Sequence, residues 1–455
     1  MSADLAFAGA ARQAALIRNG ETTSRALVEL YLDRIARHDP VVNAYRIVFA
    51  ERALEEADAA DKRSGNGAGP LNGVPLAVKD DMDVRGEITA KGSIAHGNVK
   101  ARVDAKIVRM LREAGAVILG KTNVPELMVV PFTETVWYGA TRNPWDLDRT
   151  PGGSSGGSGA AVAAGLCAAA TGSDGAGSIR IPSACCGLVG LKPAPGVVPT
   201  PPSWRGMSTY GFLARTAADV ALLHDVVKTT DGSYADALAD VPSGLKVAWS
   251  IKVPLGSRGR VDATMRGAVD SMVDTLGGLG HDVFRRDPDL GLSGAHVVPR
   301  YLRGVAEDAR GLPDRSRLGH RTKGFARLGA LIPDAVVDHA DRAADGDRER
   351  LERIFDDADV LMMPLFTSMP PRIGDYEGLG ALRTLDKEFA YTPFPALFNH
   401  TGLPAIAVPT EATRGGFPLA VQLVGPRGSE GRLLALAAQL EGAVGWADRR
   451  PPGFE

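Results

Sequence analysis

Two serines on glycine-rich loops are the residues of this chain whose types and spacing could do chemistry. Ser154 lies in the first loop, Pro151–Gly157, and Ser178 ends the second loop, Gly172–Ser178. A small, apolar run separates the loops and favours a helix buried against neighbouring elements. Glycine permits positive φ and close backbone approach, so both loops could bring hydroxyl and backbone N–H groups to one place. A serine hydroxyl there is a candidate nucleophile, provided that a base removes its proton.

Lys79 is the candidate base, because it follows the short apolar run Val74–Val78, which is typical of a buried strand. Burial disfavours the ammonium form and so lowers the pKa of a lysine, as a lysine base requires. Pairing with Asp80, Asp81 or Asp83 would raise that pKa, and we expect Asp80 and Asp81 to point away from the amine. Taken alone, Lys79 is better explained as a paired or snorkelling residue. The two serine loops favour the catalytic interpretation.

Glycine-rich loops also bind phosphates, but the two common patterns do not fit here. The first loop does not end in Gly-Lys-Ser or Gly-Lys-Thr, so the P-loop pattern fails at its lysine. The preceding stretch Trp145–Pro151 does not read as the start of the βαβ unit that a dinucleotide-binding loop needs. A structural glycine turn would explain one loop but not two serine-bearing loops.

The eight histidines do not supply an alternative base or a metal site. None of them lies in the serine loops, so a Ser-His-Asp triad lacks its base there. Their spacing is not that of metal ligands, and we predict that the chain uses no metal and no other cofactor. His96 and His400 could approach the site, but a packed or surface position is the better default for each.

The motifs around these residues resemble the signature of the amidase signature family. The matching stretches are Gly73–Asp80, Thr141–Asp146, Gly152–Gly157, Asp174–Pro182, Cys186–Pro193 and Gly402–Pro409. The similarity extends over most of the chain and is weakest between Val297 and Arg353. Such widely spaced matches are specific for the family but not for a substrate.

The resemblance implies a serine hydrolase with a Ser–cis-Ser–Lys triad. Ser178 would attack an amide carbonyl, and Ser154, preceded by a cis peptide bond, would pass the proton to neutral Lys79. The oxyanion would be held by backbone N–H groups of the second loop, those of Gly175, Ala176, Gly177 and Ser178. Ala176 stands where the family usually has glycine, so its methyl group could narrow the pocket or shift a donor.

Further residues follow from the same resemblance. The acyl pocket is expected to draw on Met128, Val129 and Tyr138. Trp204 and Tyr210 are weaker candidates, and all five could equally be core residues. Asp174 and Arg180 flank the second loop, and we expect them to pair and brace it.

Two functions are compatible with the resemblance. The first is a stand-alone amidase that cleaves a small-molecule carboxylic amide into an acid and ammonia or an amine. The alternative is the glutaminase subunit of a tRNA-dependent amidotransferase, which Arg142–Arg149 resembles. That subunit's Asp-Gly-Val-Arg-Tyr-Gly element is missing near Arg300–Arg327, and Tyr391–Gly402 is more similar to independent amidases. We therefore favour the stand-alone amidase. The sequence does not show which amide is cleaved or which oligomer forms, and a homodimer is compatible with it.

Alternating strand and helix patterns must position these residues. Helices are predicted at 25–35, 47–60, 104–113, 160–168, 261–276 and 430–441, and a surface loop at 64–67. Strands are predicted at 74–78, 116–120, 246–250, 282–285, 359–364 and 404–408. This alternation favours an α/β fold with a central mixed, largely parallel β-sheet covered by helices on both faces. No repeat or low-complexity break divides the chain, so we predict one domain over residues 1–455.

The composition is that of an ordinary globular protein, with a net charge of −2. That charge gives no general attraction to nucleic acid or to an anionic membrane, so neither is an expected partner. The arginine-dense segment Arg300–Arg353 also carries acidic residues and favours charge-paired helix faces over a nucleic-acid patch. The three cysteines make no disulfide framework, and the first residues lack the features of a signal peptide. Together these observations favour a cytoplasmic location. No run is long enough to span a membrane as a helix.

Overall fold

A computed structural model describes residues 2–63 and 68–455; the loop predicted at 64–67 lies outside the described residues. The strands are β1 Tyr45–Val48, β2 Pro75–Lys79, β3 Val117–Thr122, β4 Glu134–Thr135, β5 Gly139–Ala140, β6 Ala169–Asp174, β7 Val189–Lys192, β8 Thr209–Ala214, β9 Lys246–Trp249, β10 Asp282–Arg285, β11 Val360–Pro364, β12 Ala405–Pro409 and β13 Ala420–Val424.

Helices lie between most of the strands. They are α1 Ser2–Ala6, α2 Gly9–Arg18, α3 Ser24–Val42, α4 Ala50–Asp61, α5 Lys106–Glu113, α6 Gly156–Ala163, α7 Arg180–Cys186, α8 Ala217–Val227, α9 Tyr234–Ala237, α10 Ala263–Gly278, α11 Ser293–Arg310, α12 His320–Leu331, α13 Asp334–Glu352, α14 Ala381–Tyr391, α15 Pro395–His400 and α16 Glu430–Val444. None of the helices in the described residues combines the length and the apolar character needed to cross a membrane.

Eleven of the strands form one mixed sheet in the order β1-β3-β2-β6-β8-β7-β12-β13-β11-β9-β10, and β4 pairs with β5 separately. Parallel pairs form two groups, β3-β2-β6 and β11-β9-β10. The pairs between these groups, and the pair β1-β3, are antiparallel. The predicted α/β fold with a central mixed sheet is confirmed. Parallel pairing is confined to the two groups, because the strands between them, β8, β7, β12 and β13, pair antiparallel.

The strands at the middle of the sheet are buried along their whole length, which confirms that both faces are covered. Every residue of β2, β3, β6, β7, β8, β11, β12 and β13 is buried. A strand with one face open to water would alternate buried and exposed residues. Helix α6 packs against β2, β3, β6 and β8, and α7 packs against β7, β12 and β13. The serine loops flank α6 and therefore lie at the centre of this sheet.

The parallel pairing of β2 with β6 brings Lys79 beside the second serine loop. Both strands run in the same direction, so their carboxyl ends meet at one edge of the sheet. Lys79 is the last residue of β2, and Asp174 is the last residue of β6. The first loop precedes α6, and the second loop joins β6 to α7. Lys79, Ser154 and Ser178 therefore all lie at the carboxyl ends of these two strands.

Two of the predicted helices have different bounds in the structure. The helix predicted at 160–168 is α6, which ends at Ala163, and β6 then begins at Ala169. Gly165 has a φ of 65° and turns the chain between them, which the run of small residues does not reveal. The first residues of the helix predicted at 47–60 instead belong to β1, the outermost strand of the sheet, which pairs with β3.

The arginine-dense segment folds into α11, α12 and α13, and α11 packs against the other two. Arg300 pairs with Asp341 at 2.8 Å, and Arg303 pairs with Asp334. These pairs confirm the predicted charge-paired helix faces. Arg300 is buried, however, so one of the pairs lies between the helices instead of on a solvated face.

Candidate active site

Lys79 is fully buried at the end of β2, and its amine contacts both serine-bearing segments. Lys79 Nζ donates to Ser154 Oγ at 2.8 Å and to Ser173 Oγ at 2.7 Å. The backbone N–H of Lys79 donates to Thr171 Oγ1 at 2.9 Å and ties the strand end to β6. The amine is therefore held between a hydroxyl of the first loop and a hydroxyl of β6.

Asp81 does not point away from the amine, and that expectation is wrong. Asp81 Oδ2 accepts a hydrogen bond from Ser173 Oγ at 2.5 Å and lies 3.5 Å from Lys79 Nζ. Asp80 does turn away, because it pairs with one basic side chain of β1 and one of β3. With Asp80 held by those cations, Asp81 is the carboxylate left to face Lys79.

The pKa of Lys79 is lowered from its ordinary value. Burial is the largest cause, because the ammonium form loses its hydration inside the protein. The carboxylates of Asp81 and Asp174 oppose this effect by stabilising the ammonium form, but they do not reverse it. Lys79 is therefore neutral over a wider pH range than an exposed lysine, although a nearby carboxylate limits the shift.

The first loop presents Ser154 from a tightly packed backbone. The peptide bond Gly153–Ser154 is cis, as the family resemblance implies. A Cβ atom at Gly153 would lie 2.7 Å from the backbone nitrogen of Phe132, so no larger residue fits there without displacing backbone. Ser154 itself is 1% exposed. Water therefore has little access to the contact between Ser154 and Lys79.

The second loop presents Ser178, which is partly exposed, whereas Lys79 and Ser154 are buried. The backbone N–H of Ser155 donates to Ser178 O at 3.3 Å and joins the two loops. No hydrogen bond joins the hydroxyls of Ser154 and Ser178 in the described part of the chain. Ser178 is therefore the serine of the two that a molecule arriving from solvent meets first.

Of the four backbone N–H groups expected to bind the oxyanion, that of Gly177 is not available. Its backbone N–H donates to Asp174 Oδ1 at 2.6 Å, so the Asp174 carboxylate already uses this donor. Within residues 2–63 and 68–455, the N–H groups of Gly175, Ala176 and Ser178 have no hydrogen-bond partner. Three of the four backbone donors named from the sequence remain free to bind an oxyanion.

Asp174 and Arg180 pair at 3.0 Å and brace the second loop, as expected. Asp174 also accepts from Asn399 Nδ2 at 2.8 Å, and Arg180 donates to Gln422 Oε1 at 2.8 Å. Burial alone would raise the pKa of Asp174, but the charge and hydrogen bonds of Arg180 outweigh it and hold that pKa well below its usual value. The loop is therefore anchored on an ionised carboxylate that is shared with α7 and α15.

Two cavities meet at Ser178. The larger has a volume of about 610 Å³, is lined by Ser154, Ser173 and Ser178, and has an exposed rim that includes Lys106 and Pro201. The smaller has a volume of about 40 Å³ and is lined mainly by apolar side chains. Ser178 and Met128 line both of them, whereas Ser154 lines only the larger. The two sides of Ser178 therefore differ in size and polarity.

The candidate pocket residues divide between these cavities and the β4–β5 hairpin. Met128 lines both cavities and Val129 lines the smaller one. Trp204 also lines both, and Tyr210 lines the larger. Tyr138 lines neither; it lies between β4 and β5, where its backbone oxygen accepts from Asn43 Nδ2 at 2.7 Å. Tyr138 is therefore not part of the candidate site, because the β4–β5 hairpin holds it against the end of α3.

His400 belongs to a buried network away from the serines. Its Nε2 lies 2.9 Å from Asp347 Oδ2, and His296 Nδ1 lies 2.6 Å from the same oxygen. Arg300 Nη1 lies 2.9 Å from His400 Nδ1; because a guanidinium only donates, Nδ1 accepts and Nε2 carries the proton. That proton points at Asp347, where a metal ion would need a lone pair. The three groups, which are spaced like metal ligands, are therefore explained as a hydrogen-bonded network.

The sequence did not identify several residues that shape the site. Ser173 and Thr171 contact Lys79, and Asn399 holds the second loop. Ser173 lies within the quoted glycine-rich stretch, and a signal for it was therefore present. Asn399 follows the second loop by more than two hundred residues, and only the folded chain brings it to Asp174.

Comparisons with known proteins identify the family of this chain. A family model described as Amidase matches residues 26–434. A Mycobacterium tuberculosis protein named as an amidase, AmiB2, is 48% identical over 98% of both chains. The 6-aminohexanoate-cyclic-dimer hydrolase of Paenarthrobacter ureafaciens is 34% identical over 97% of this chain and 96% of its own.

Solved structures are similar over nearly the whole chain. A 6-aminohexanoate cyclic dimer hydrolase complexed with substrate has a TM-score of 0.89 and 32% identity, covering 99% of this chain and 100% of its own. The native peptide amidase from Stenotrophomonas maltophilia has a TM-score of 0.82 and 26% identity, covering 98% of both chains. The chain belongs to the Amidase family, the amidase signature enzymes, and is a hydrolase of amide bonds.

Proposed function

We propose that this protein is a stand-alone amidase that hydrolyses a small carboxylic amide through an acyl-enzyme on Ser178. The observation that carries the proposal is the contact of the buried Lys79 amine with Ser154 Oγ at 2.8 Å, in the wall of a cavity that Ser178 also lines. A lysine whose pKa is lowered by burial can act as a base, and a second serine can carry the proton to it.

In the acylation step, Ser178 Oγ attacks the amide carbonyl carbon. Ser154 takes the proton of Ser178 and passes its own proton to neutral Lys79. Catalytic hydrogen bonds are often long before substrate binds, so the Ser178–Ser154 hydrogen bond would form in the substrate complex. The free N–H groups of Gly175, Ala176 and Ser178 would stabilise the oxyanion.

The position of Ser154 decides which cavity takes which part of the substrate. The leaving nitrogen must receive a proton from Lys79 through Ser154, so it must lie where Ser154 is accessible. Ser154 lines the cavity of about 610 Å³ and not the smaller one. The amine side would therefore occupy the larger cavity, and the acyl group the smaller. Water entering from the larger cavity would then attack the acyl-enzyme and release the acid, with the same groups moving the proton.

The small cavity favours a stand-alone amidase over a glutaminase subunit. A glutamine substrate carries an α-carboxylate on its acyl part, which a basic side chain would be expected to bind. None of the described residues that line the small cavity is lysine or arginine. A site of about 40 Å³ with mainly apolar walls and no basic side chain among the described residues is better suited to a short acyl group without an anionic end.

The direct experiment is hydrolysis by the purified chain alone. We expect release of ammonia or amine from primary amides and anilides with short acyl groups, without ATP, added metal or a second subunit. The rate should be unaffected by a chelator. Glutamine hydrolysis that appears only with partner subunits, and no hydrolysis of other amides, would instead identify the amidotransferase subunit.

Asp81 provides a prediction about the pH profile. Its carboxylate, 3.5 Å from Lys79 Nζ, raises the pKa of the amine. Asp81→Asn removes the charge but keeps an oxygen that can accept from Ser173. The pKa of Lys79 should fall, and the rising limb of turnover against pH should move to lower pH. Asp83→Asn, a control on the same cavity wall, should shift the profile less. A rising limb that stays fixed or moves to higher pH would contradict this role of Asp81.

A further inference from the structure

A buried carboxyl group in the wall of the small cavity is not used by the proposed mechanism. Glu388 belongs to α14 and is 4% exposed. The same cavity is lined by apolar side chains that include Val129, Ile181 and Val297, and by Ser178. A carboxyl group so placed needs a hydrogen-bond partner, because burying an unpaired polar group is costly.

The hydrogen bonds of Tyr301 indicate that Glu388 carries a proton. Tyr301 Oη donates to Val129 O, which can only accept, so the single phenol hydrogen is used there. Tyr301 Oη also lies 3.2 Å from Glu388 Oε1. A hydrogen bond between these two oxygens uses one hydrogen, which Glu388 must supply because the phenol hydrogen is already used. Burial raises the pKa of Glu388 well above its usual value, against the opposing charge of Arg321, in agreement with this count.

The other oxygen of Glu388 is left without a partner from the protein. Within the described residues, Glu388 Oε2 is buried and makes no hydrogen bond. If Oε1 carries the proton, Oε2 is the carbonyl oxygen of a neutral carboxyl group and can only accept. A donor for it would have to come from a molecule bound in the small cavity.

We infer that Glu388 selects substrates whose acyl group carries a neutral hydrogen-bond donor, such as a hydroxyl, which Glu388 Oε2 accepts. The inference rests on the proposed function, which places the acyl group in the small cavity. A neutral donor fits better than an ammonium group, because a cation among apolar side chains loses its hydration. The substrate class is therefore a hydroxy-acyl amide with a short chain.

The test compares amides of equal shape that differ by one hydroxyl group. Three pairs cover the unknown chain length: 3-hydroxypropanamide with butanamide, 4-hydroxybutanamide with pentanamide, and 5-hydroxypentanamide with hexanamide. We expect kcat/KM to favour the hydroxy member about ten- to hundredfold in at least one pair, since a lost partner leaves a buried acceptor unpaired. The corresponding ω-amino amides, charged at neutral pH, should not be preferred.

Two variants of Glu388 separate hydrogen bonding from packing. Glu388→Gln mimics the protonated carboxyl group: its amide nitrogen can donate to Tyr301 Oη, and its amide oxygen replaces Oε2. It should keep the preference, whereas Glu388→Leu should lose it or favour the alkyl member. Thr392→Val is the control, because Thr392 lines the same cavity but its Oγ1 already donates to Leu365 O at 3.1 Å. It should keep the preference.

The outcomes distinguish this inference from the proposed function. If the wild type hydrolyses none of these amides or the wider screen, the proposed function fails. If it hydrolyses both members of every pair equally, only the selection by Glu388 is overturned. A preference for the ω-amino amides that Glu388→Gln abolishes would also overturn it, because the carboxyl group would then act as an anion. If Glu388→Leu does not fold, the wild-type pairs and Glu388→Gln still decide the question.

Discussion

Replacing Ser178 with alanine should reduce amide turnover by about 10⁶-fold, as loss of the nucleophilic serine does in a well-studied serine protease. The fold should survive, because Ser178 is partly exposed and the loop around it is held by the Asp174–Arg180 pair. Turnover of a short-chain amide, measured by ammonia release together with thermal unfolding, checks both parts.

Ser208 offers a matched control for Ser178. It is also a partly exposed serine in the wall of the larger cavity, and the mechanism gives it no role in proton transfer. Ser208→Ala should therefore keep turnover within a few-fold of the wild type. Equal losses in the two variants would mean that any serine removed from this cavity impairs binding, and Ser178 would no longer be singled out as the nucleophile.

Lys79→Met should lower turnover by about 10²–10⁴-fold, the contribution typical of a general base, and should abolish its dependence on pH in the neutral to alkaline range. In the wild type, turnover should rise with pH, since the active form of Lys79 is the neutral amine and a higher pH populates it. Burial lowers the pKa of Lys79, so the rise should come at lower pH than for an exposed lysine. Methionine has a similar length and no charge, which suits the fully buried position.

Lys121 provides the control for a buried lysine without the proposed role. It lies on β3 beside β2 and pairs with Asp80 at 2.8 Å. Lys121→Met should destabilise the fold but keep the rise of turnover with pH. A Lys79→Met enzyme that retained the rise, or a wild type with a flat profile, would contradict the lysine-base mechanism.

The sequence predicted the fold class because strand and helix patterns alternate clearly, and most predicted elements lie within a few residues of their positions. It did not predict β6, β7, β8 and β13 at the centre of the sheet, which are buried along their whole length. Such strands have no alternating pattern, and their apolar runs resemble buried helix. The end of α6 at Ala163 was missed for the same reason, because small residues suit both structures.

The candidate site was predicted only as far as local motifs extend. Lys79, Ser154 and Ser178 belong to contiguous signatures, and the structure brings them to one sheet edge. Asp81 was expected to point away, because sequence order does not show that Asp80 is already paired across the sheet. The use of the Gly177 N–H by Asp174 is likewise a matter of loop conformation. Glu388 reaches the site from α14 and carries no local signal.

The most direct test of the central proposal is to find the residue that carries the acyl group. The purified protein is mixed with the p-nitrophenyl ester of a short acid, quenched in acid during turnover, digested and sequenced by tandem mass spectrometry. We expect one acyl group on Ser178, absent from Ser178→Ala and formed more slowly in Lys79→Met. An acyl group on Ser154 or another residue, or an adduct of the same mass that persists in Ser178→Ala, would contradict it.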